Sequence, residues 1–425
     1  MGVKTRKLGN ISDSLVQWQA VVVADGSTGL TALAGRGYFI NTTAGTITVT
    51  LPGSPAIGDT ISIVDYASTF ATNNVTVDPG SNKIEGDTAD GILNTNDQTH
   101  TLVFTDSTQG WKIFNQDTAA SIQPTFVAAT GGTVTTSGNY KIHTFTGDSN
   151  FVVSSVGNPA GGPNAVSYMV VAGGGATPGR ASGTGIGGGA GAGGYREGKD
   201  SPDPYTASPL NAGSGITVTA QTYPITVGGG GSAGAGPSGG PTNGTAGSNS
   251  VFSTITSAGG GRGGRYDPDK NGGNGGSGGG SINGGTGGSG NTPPVSPSQG
   301  NNGGAGFSPT TANGGGGGGA TGTGGDGSPS STKGGNGGAG ATSSITGSPV
   351  TRAGGGAGAI AKGAGSNPAT SSGGGGSGGF GPAPSPTAGT AGTANTGGGA
   401  GGDTDNDYVG KAGGKGIVII RYKFQ

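Results

Sequence analysis

The sequence predicts an all-β protein in which a small β domain is followed by a β base carrying a bundle of polyglycine II helices. Three observations lead there. Short Thr-rich segments alternate apolar and polar residues with period two, as in Thr46-Ile47-Thr48-Val49-Thr50-Leu51 and Asn74-Val75-Thr76-Val77. Most of the 106 glycines lie after Gly162, in doublets or longer runs such as Gly272-Gly273-Asn274-Gly275-Gly276-Ser277. Two apolar segments bound the glycine stretch, Val166 to Val171 before it and Ile417 to Tyr422 after it.

Residues 1–25 read as an attachment arm. Lys4, Arg6 and Lys7 make the terminus basic, and no hydrophobic region of a secretory signal follows them. Residues 26–117 read as a β domain. Thr60 to Val64, His100 to Phe104 and Trp111 to Phe114 add strands, separated by turn clusters such as Pro52-Gly53-Ser54-Pro55 and Asp78-Pro79-Gly80. So few bulky side chains make a thin core, marginal alone, which points to burial against copies of the same chain.

Residues 118–171 supply further strands, at Thr125 to Ala128, Tyr140 to Phe145, Phe151 to Val153 and Val166 to Val171. Within the glycine-rich region, 172–414, strands recur at 215–227 and 250–255. The closing segment 415–425 is the most apolar in the protein and belongs in the centre of a sheet. We expect it beside Tyr168 to Val171, so that both ends of the glycine region are tied to one base and the rods between form out-and-back passes.

Glycine at this density usually signals a flexible linker, because glycine loses the most backbone freedom on ordering. Collagen is excluded, since the glycines are doubled and the G-X-Y phase keeps breaking. Packed polyglycine II rods account for the pattern differently. With three residues per turn and no internal hydrogen bonds, every N–H and C=O must find a neighbouring rod. A GG-x triplet then puts x on one edge and leaves two edges bare for close approach. Rods with x suit the outside; Gly314 to Gly319, with no side chain, suits the centre, followed by Gly228 to Gly231 and Gly373 to Gly376.

Charged residues are 10% of the chain and the net charge is −1, so no broad basic face for nucleic acid or an anionic membrane is expected. There is no cysteine, and no apolar run approaches the ~20 residues of a membrane-spanning helix.

Two resemblances follow from particular residues. Tyr38-Phe39-Ile40-Asn41-Thr42, Val49-Thr50-Leu51-Pro52, Gly58-Asp59-Thr60-Ile61, Thr72 to Val77 and Gln109-Gly110-Trp111 resemble, over residues 36–116, a β domain of tailed-phage fibre proteins, especially those of marine and cyanobacterial hosts. That resemblance implies a homotrimer placed upstream of a receptor-binding end. Residues 125–425 resemble the glycine-rich domain of phage tail-fibre and adhesin proteins, through Tyr168 to Gly175, Ile225 to Gly230, Ser257 to Gly261 and Gly416 to Tyr422. They are also similar in kind to the tip adhesins of T-even-type phages, where stacked polyglycine II rods carry loops that touch the host receptor. The glycine runs here are shorter and more often broken by Pro-Ser-Thr segments.

The parts of an enzyme are scarce. The chain has two histidines, His100 and His143, both in Thr-rich strand patterns, and Glu85 and Glu197 stand apart from other carboxylates. No catalytic residue and no cofactor is assigned. Asp403, Asp405 and Asp407 alternate as calcium ligands do, but the glycine and the closing glutamate of a calcium loop are missing, so a solvated acidic loop is the preferred reading and no metal is assigned. The informative side chains sit in segments that interrupt the rods. Tyr and Arg dominate recognition surfaces, which selects Tyr195, Arg196, Tyr205, Arg262, Arg265, Tyr266, Asp267, Asp269, Phe307 and Phe380 as receptor-contact candidates.

Together these readings give the expectation of a non-enzymatic virion fibre or tail-fibre adhesin, made in the host cytoplasm. The N-terminus would join it to other virion proteins, and the loops would bind a host-surface glycan or outer-membrane protein. Neither nucleic acid binding nor membrane insertion is expected. The alternatives are a purely structural fibre without a receptor, a polysaccharide depolymerase, and an ice- or mineral-binding face, which would need Thr at every third position of a rod edge.

Overall fold

A computed structural model describes residues 16–118, 125–157, 162–179, 186–236, 242–266, 269–308, 313–329, 333–360, 369–381, 387–404 and 409–425. The protein is all-β, and no helix occurs among the described residues. The chain divides near residue 124 into two compact units.

In the first unit the chain winds between two sheets. Gly29–Thr31, Ile47–Thr50 and Val75–Asp78 lie parallel in the smaller sheet, and Arg36–Asn41 and Thr60–Asp65 lie parallel in the larger one. Antiparallel strands Gly91–Leu93, Gln98–Asp106 and Gly110–Thr118 complete the pair. The period-two pattern places Ile40, Val49, Ile61, Ile63 and Val75 inward, where they pack with the fully buried Trp111. Period two marks a strand's faces but not its direction, so the parallel winding has no signature in the sequence.

Part of the expected arm belongs to this unit. Gln17–Trp18 and Val22–Val23 pair parallel with Arg36–Asn41. The Trp18 ring stacks on Phe39 at 4.8 Å and lies flat on Gly37, where a Cβ would fall 2.5 Å from the ring. Residues 1–15 of the arm lie outside the described residues.

The second unit begins with a two-sheet base. One sheet orders Thr133–Ser137, Tyr140–Phe145, Ile417–Lys423, Ala165–Val171 and Tyr195–Gly198; the other orders Ala128–Thr130, Ser149–Ser155, Thr222–Thr226, Ser250–Phe252 and Ile255–Ser257. Phe145, Phe151, Tyr168, Phe252 and Tyr422 fill the space between them. Met169, Val171 and Ile419 face the other way, against Tyr195, Tyr205 and Ile345. Being covered on both faces explains the unbroken apolar run of the last strand. As the sequence predicts, that strand lies directly beside Ala165–Val171, with Met169 opposite Ile419.

From this base the glycine region runs out and back as hydrogen-bonded extended rods. The pass at 186–194 shows the rule. Its amides at Gly188, Gly191 and Gly194 donate to the carbonyls of Gly264, Gly261 and Ala258 at 3.1, 2.9 and 2.7 Å. Those at Gly189 and Ala192 reach Gly315 and Gly318; those at Ala190 and Gly193 reach Ala400 and Gly397. The partner rod changes with every residue and returns after three, which is the signature of a three-fold helix. Carbonyls of the same pass accept amides from Gly175, Ser277, Gly280, Gly356 and Ala359, so it is surrounded by rods.

Gly314 to Gly319 is likewise buried and bonded on all sides. A Cβ on Gly317 would lie 1.9 Å from the carbonyl oxygen of Ala190, which is why this edge must be bare. The other two runs expected near the centre differ. Gly229 is exposed on a peripheral rod, and Gly373 and Gly374 take φ of 59° and 85° in a turn. Conversely the central pass 186–194 carries Ala190 and Ala192, both fully buried.

Peripheral rods solve their outward amides with side chains. The carbonyl oxygens of the Asn271 and Asn274 side chains accept the amides of Thr286 and Ser289 at 2.9 and 2.8 Å. Thr242 and Thr245 hydroxyls do the same for Ala235 and Ser232 at 2.7 and 2.8 Å. The x residues of GG-x triplets are therefore acceptors for the adjacent rod as well as solvent-facing groups.

Candidate functional site

The bundle has two ends. One abuts the base; at the other lie Ile186, Arg265, Ile282, Phe307, Ala359 and Phe380. The contact candidates divide between them.

Tyr195, Arg196 and Tyr205 lie at the base end. Tyr195 and Tyr205 are 1% and 6% exposed, so as a correction to the sequence reading they are packing residues of the base and present no surface to a receptor. The Tyr195 hydroxyl donates to Glu197 Oε2 at 2.8 Å, and the same buried carboxylate accepts the Ser208 amide at 2.9 Å and the Ser343 hydroxyl at 2.6 Å. Burial pushes both phenols up, and the Glu197 charge pushes the same way. Burial also lowers the Arg352 guanidinium, against the attraction of Tyr195 and Glu197. This node ties the segment after Tyr195–Gly198 and the hairpin of Ala341–Ser343 with Val350–Arg352 onto the base. Beside it Arg421 Nε meets Asp203 Oδ1 at 2.8 Å, with its guanidinium over Tyr140 at 4.6 Å. Arg196 is half-buried.

The far end collects the remaining candidates. Arg265 forms a bridge with Gly187, and its amide donates to the Asp269 carbonyl at 2.8 Å, closing a tight reversal. Arg262 Nη2 lies 3.7 Å from Asp269 Oδ2, and the Asn243 side-chain amide donates to the same carboxylate. Tyr266 is 41% exposed at the tip, while Asp267 lies outside the described residues. Phe307 and Phe380 are half-buried, paired with Asn313 and Thr387 as the closing residues of two further loops. Beneath the tips, Ile186, Ile282 and Ala359 form a small apolar plug.

Asp403 is buried. Its Oδ1 accepts the amides of Gly389 and Thr404, both at 2.9 Å, and its Oδ2 lies 3.6 Å from Lys411 Nζ. A carboxylate engaged by amide hydrogens and an ammonium holds loops together here; Asp405 and Asp407 lie outside the described residues. His143 is enclosed between the base sheets, with Nδ1 donating to the Gly131 carbonyl at 2.7 Å and Nε2 accepting from the Tyr422 hydroxyl at 3.1 Å. His100 is buried in the first unit among Val77, Ile84, Leu93 and Leu102. At the far end the exposed side chains include Tyr266 and Lys270.

The Glu197 node, the isoleucine plug and Asn243 were not singled out by the sequence. Isolated polar residues in a glycine-rich chain carry no spacing signal, and only their three-dimensional neighbours show what they do.

A family model of the glycine-rich domain matches residues 146–423. The chain belongs to the glycine-rich domain family. The matched span covers the base from the Ser149–Ser155 strand onward, the whole bundle, and the closing strand Ile417–Lys423. The match thus takes in the rods and most of the base, while the base strands Ala128–Thr130, Thr133–Ser137 and Tyr140–Phe145 precede it. No curated protein matches the chain.

Proposed function

We propose that the protein is a non-enzymatic phage virion fibre or tail-fibre adhesin that holds loops on a stiff glycine-rich scaffold for contact with a host-surface receptor. The supporting observation is the three-residue hydrogen-bond period of the rods, which makes a stiff mount for the bundle end where Arg265, Tyr266, Lys270 and Phe307 lie. Loops anchored on both sides lose less entropy when they bind. The exposed Tyr266 and Lys270 flank the Arg262–Asp269 pair there. In this reading the first unit assembles as a homotrimer and the N-terminus joins other virion proteins, so several copies act together and weak contacts become avid.

The test titrates fluorescently labelled protein onto marine and cyanobacterial cells, beside the double variant Tyr266→Ser and Lys270→Ser. Saturable binding that the variant loses supports the adhesin. Absence of saturable binding to any cell tested, with the folded protein present, replaces it with a structural fibre.

A further inference from the structure

A cleft lies at the base end of the bundle, away from Tyr266 and Lys270. It measures about 390 Å³ and opens where the segment after Tyr195–Gly198 meets the rods, lined by Pro209, Leu210, Ser298, Asn301, Thr321 and Thr342 among others. Its volume falls in the range of small-molecule sites. None of its lining residues is charged.

The walls differ in chemistry. Pro209 and Leu210, with the buried Ala320, give an apolar side. On the polar side, Ser298, Asn301 and Thr321 have already used their side-chain hydrogens. The Ser298 hydroxyl donates to the Gly300 carbonyl at 2.8 Å, and the Thr321 hydroxyl to the Gly340 carbonyl at 2.9 Å. Both hydrogens of the Asn301 amide are committed, to the carbonyls of Gly319 and Ala320 at 3.1 and 2.9 Å. The Thr342 and Thr351 hydroxyls share a bond of 2.7 Å in which either may donate. What Ser298, Asn301 and Thr321 have left is oxygen lone pairs.

A fitting ligand must therefore bring donors, carry no charge, and have one apolar face. Phosphates and carboxylates fail, because their negative charge meets no cation in the lining. A metal cation fails for want of a carboxylate. A pyranose ring meets all three demands, with hydroxyls around its edge and C–H groups on its face. We propose that this cleft holds one ring of a neutral sugar, with its hydroxyls donating to Ser298, Asn301 and Thr321 and its C–H face against Pro209 and Leu210.

Saturation-transfer NMR on the full chain tests this. The neutral probes are the methyl α-glycosides of glucose, galactose and mannose, together with N-acetylglucosamine. Glucose 6-phosphate, N-acetylneuraminic acid and the amide of Gly-Pro-Gly serve as contrasts. The expected result is saturable binding of at least one neutral sugar, weakened about tenfold or more in Thr321→Val and in Leu210→Ser, with both variants folded at the assay temperature. If Thr321→Val proves unstable, Ser298→Ala, whose hydroxyl bonds only within its own turn, takes its place. Tyr266→Ser at the far end should leave the affinity as it was, so this site and the tip loops fail or succeed separately. Lack of saturation by every neutral sugar overturns the proposal. So does binding that survives both cleft variants, or stronger binding of the charged sugars or the peptide.

Discussion

Val170 and Val418 lie directly opposite each other in adjacent antiparallel strands, so the chain leaves for the bundle and returns from it through one hydrogen-bonded pair of neighbours. Both are fully buried. Val418→Asp places an unpaired carboxylate between the base sheets and should cost about 3 kcal/mol or more. Thermal melting reads this directly. Amide exchange in the rods should accelerate in the same variant, although its substitution touches none of them; unchanged rod exchange would mean that the bundle holds without its base.

Glycine positions in the rods should divide sharply. Gly317→Ala drives a Cβ into the Ala190 carbonyl, and separating those rods should cost several kcal/mol, on the scale of overpacking at about 1–3 kcal/mol or beyond. Gly229→Ala meets nothing within 4 Å, and should be neutral or stabilising by about 0.4–1 kcal/mol through the unfolded chain. Chemical denaturation of the two variants side by side measures the contrast.

The side-chain acceptors on the peripheral rods make a residue-level prediction. Asn274→Ala removes the acceptor of the Ser289 amide, at a cost of about 0.5–1.5 kcal/mol. Hydrogen exchange followed by NMR should show Ser289 unprotected while Thr286, held by Asn271, stays slow.

The buried ion pair behaves differently according to how it is broken. Asp203→Asn leaves Arg421 buried without its counter-charge, and should destabilise by about 3–5 kcal/mol. Replacing both, Asp203→Leu with Arg421→Met, should recover most of the loss. A double-mutant cycle in melting temperature shows whether the pair contributes stability or only the penalty for its removal.

Acid should weaken both units through their histidines. Burial lowers His100 and His143 below the ordinary value of 6.5. The unfolded chain therefore takes up protons first, between about 6.5 and the lower folded values. Stability is full above 6.5 and falls as pH drops through that window. Urea midpoints at pH 8, 7, 6 and 5 should be level and then decline, and His100→Leu should flatten the decline for the first unit.

How far the sequence reached depends on what each feature rests on. The central place of Ile417–Lys423 and its neighbour Ala165–Val171 were legible, because a strand that apolar needs cover on both faces, whereas its other neighbour, Tyr140–Phe145, was not. Gly314 to Gly319 was legible as a central rod, because a run without side chains fits only where space is least. The equally central 186–194 was not, since Ala190 and Ala192 look like edge residues until their surroundings are known. Tyr195 and Tyr205 misled for a related reason. An aromatic residue in a glycine-rich stretch reads as display, yet here a strand and its loop fold over the base and turn both rings inward. Asn271 and Asn274 read as solvent-facing, and their acceptor role depends on a rod too far along the chain for any local pattern to reveal.

The pass at 186–194 donates to residues as late as Ala400 and accepts from partners spread through the stretch between. A chain emerging from the ribosome therefore cannot close this centre until residue 400 has been made. Its early rods must wait as solvated strands, with nothing native yet to bond. Such delayed, long-range closure favours slow, all-together assembly, with the base sheet closing only when Ile417–Lys423 reaches Ala165–Val171.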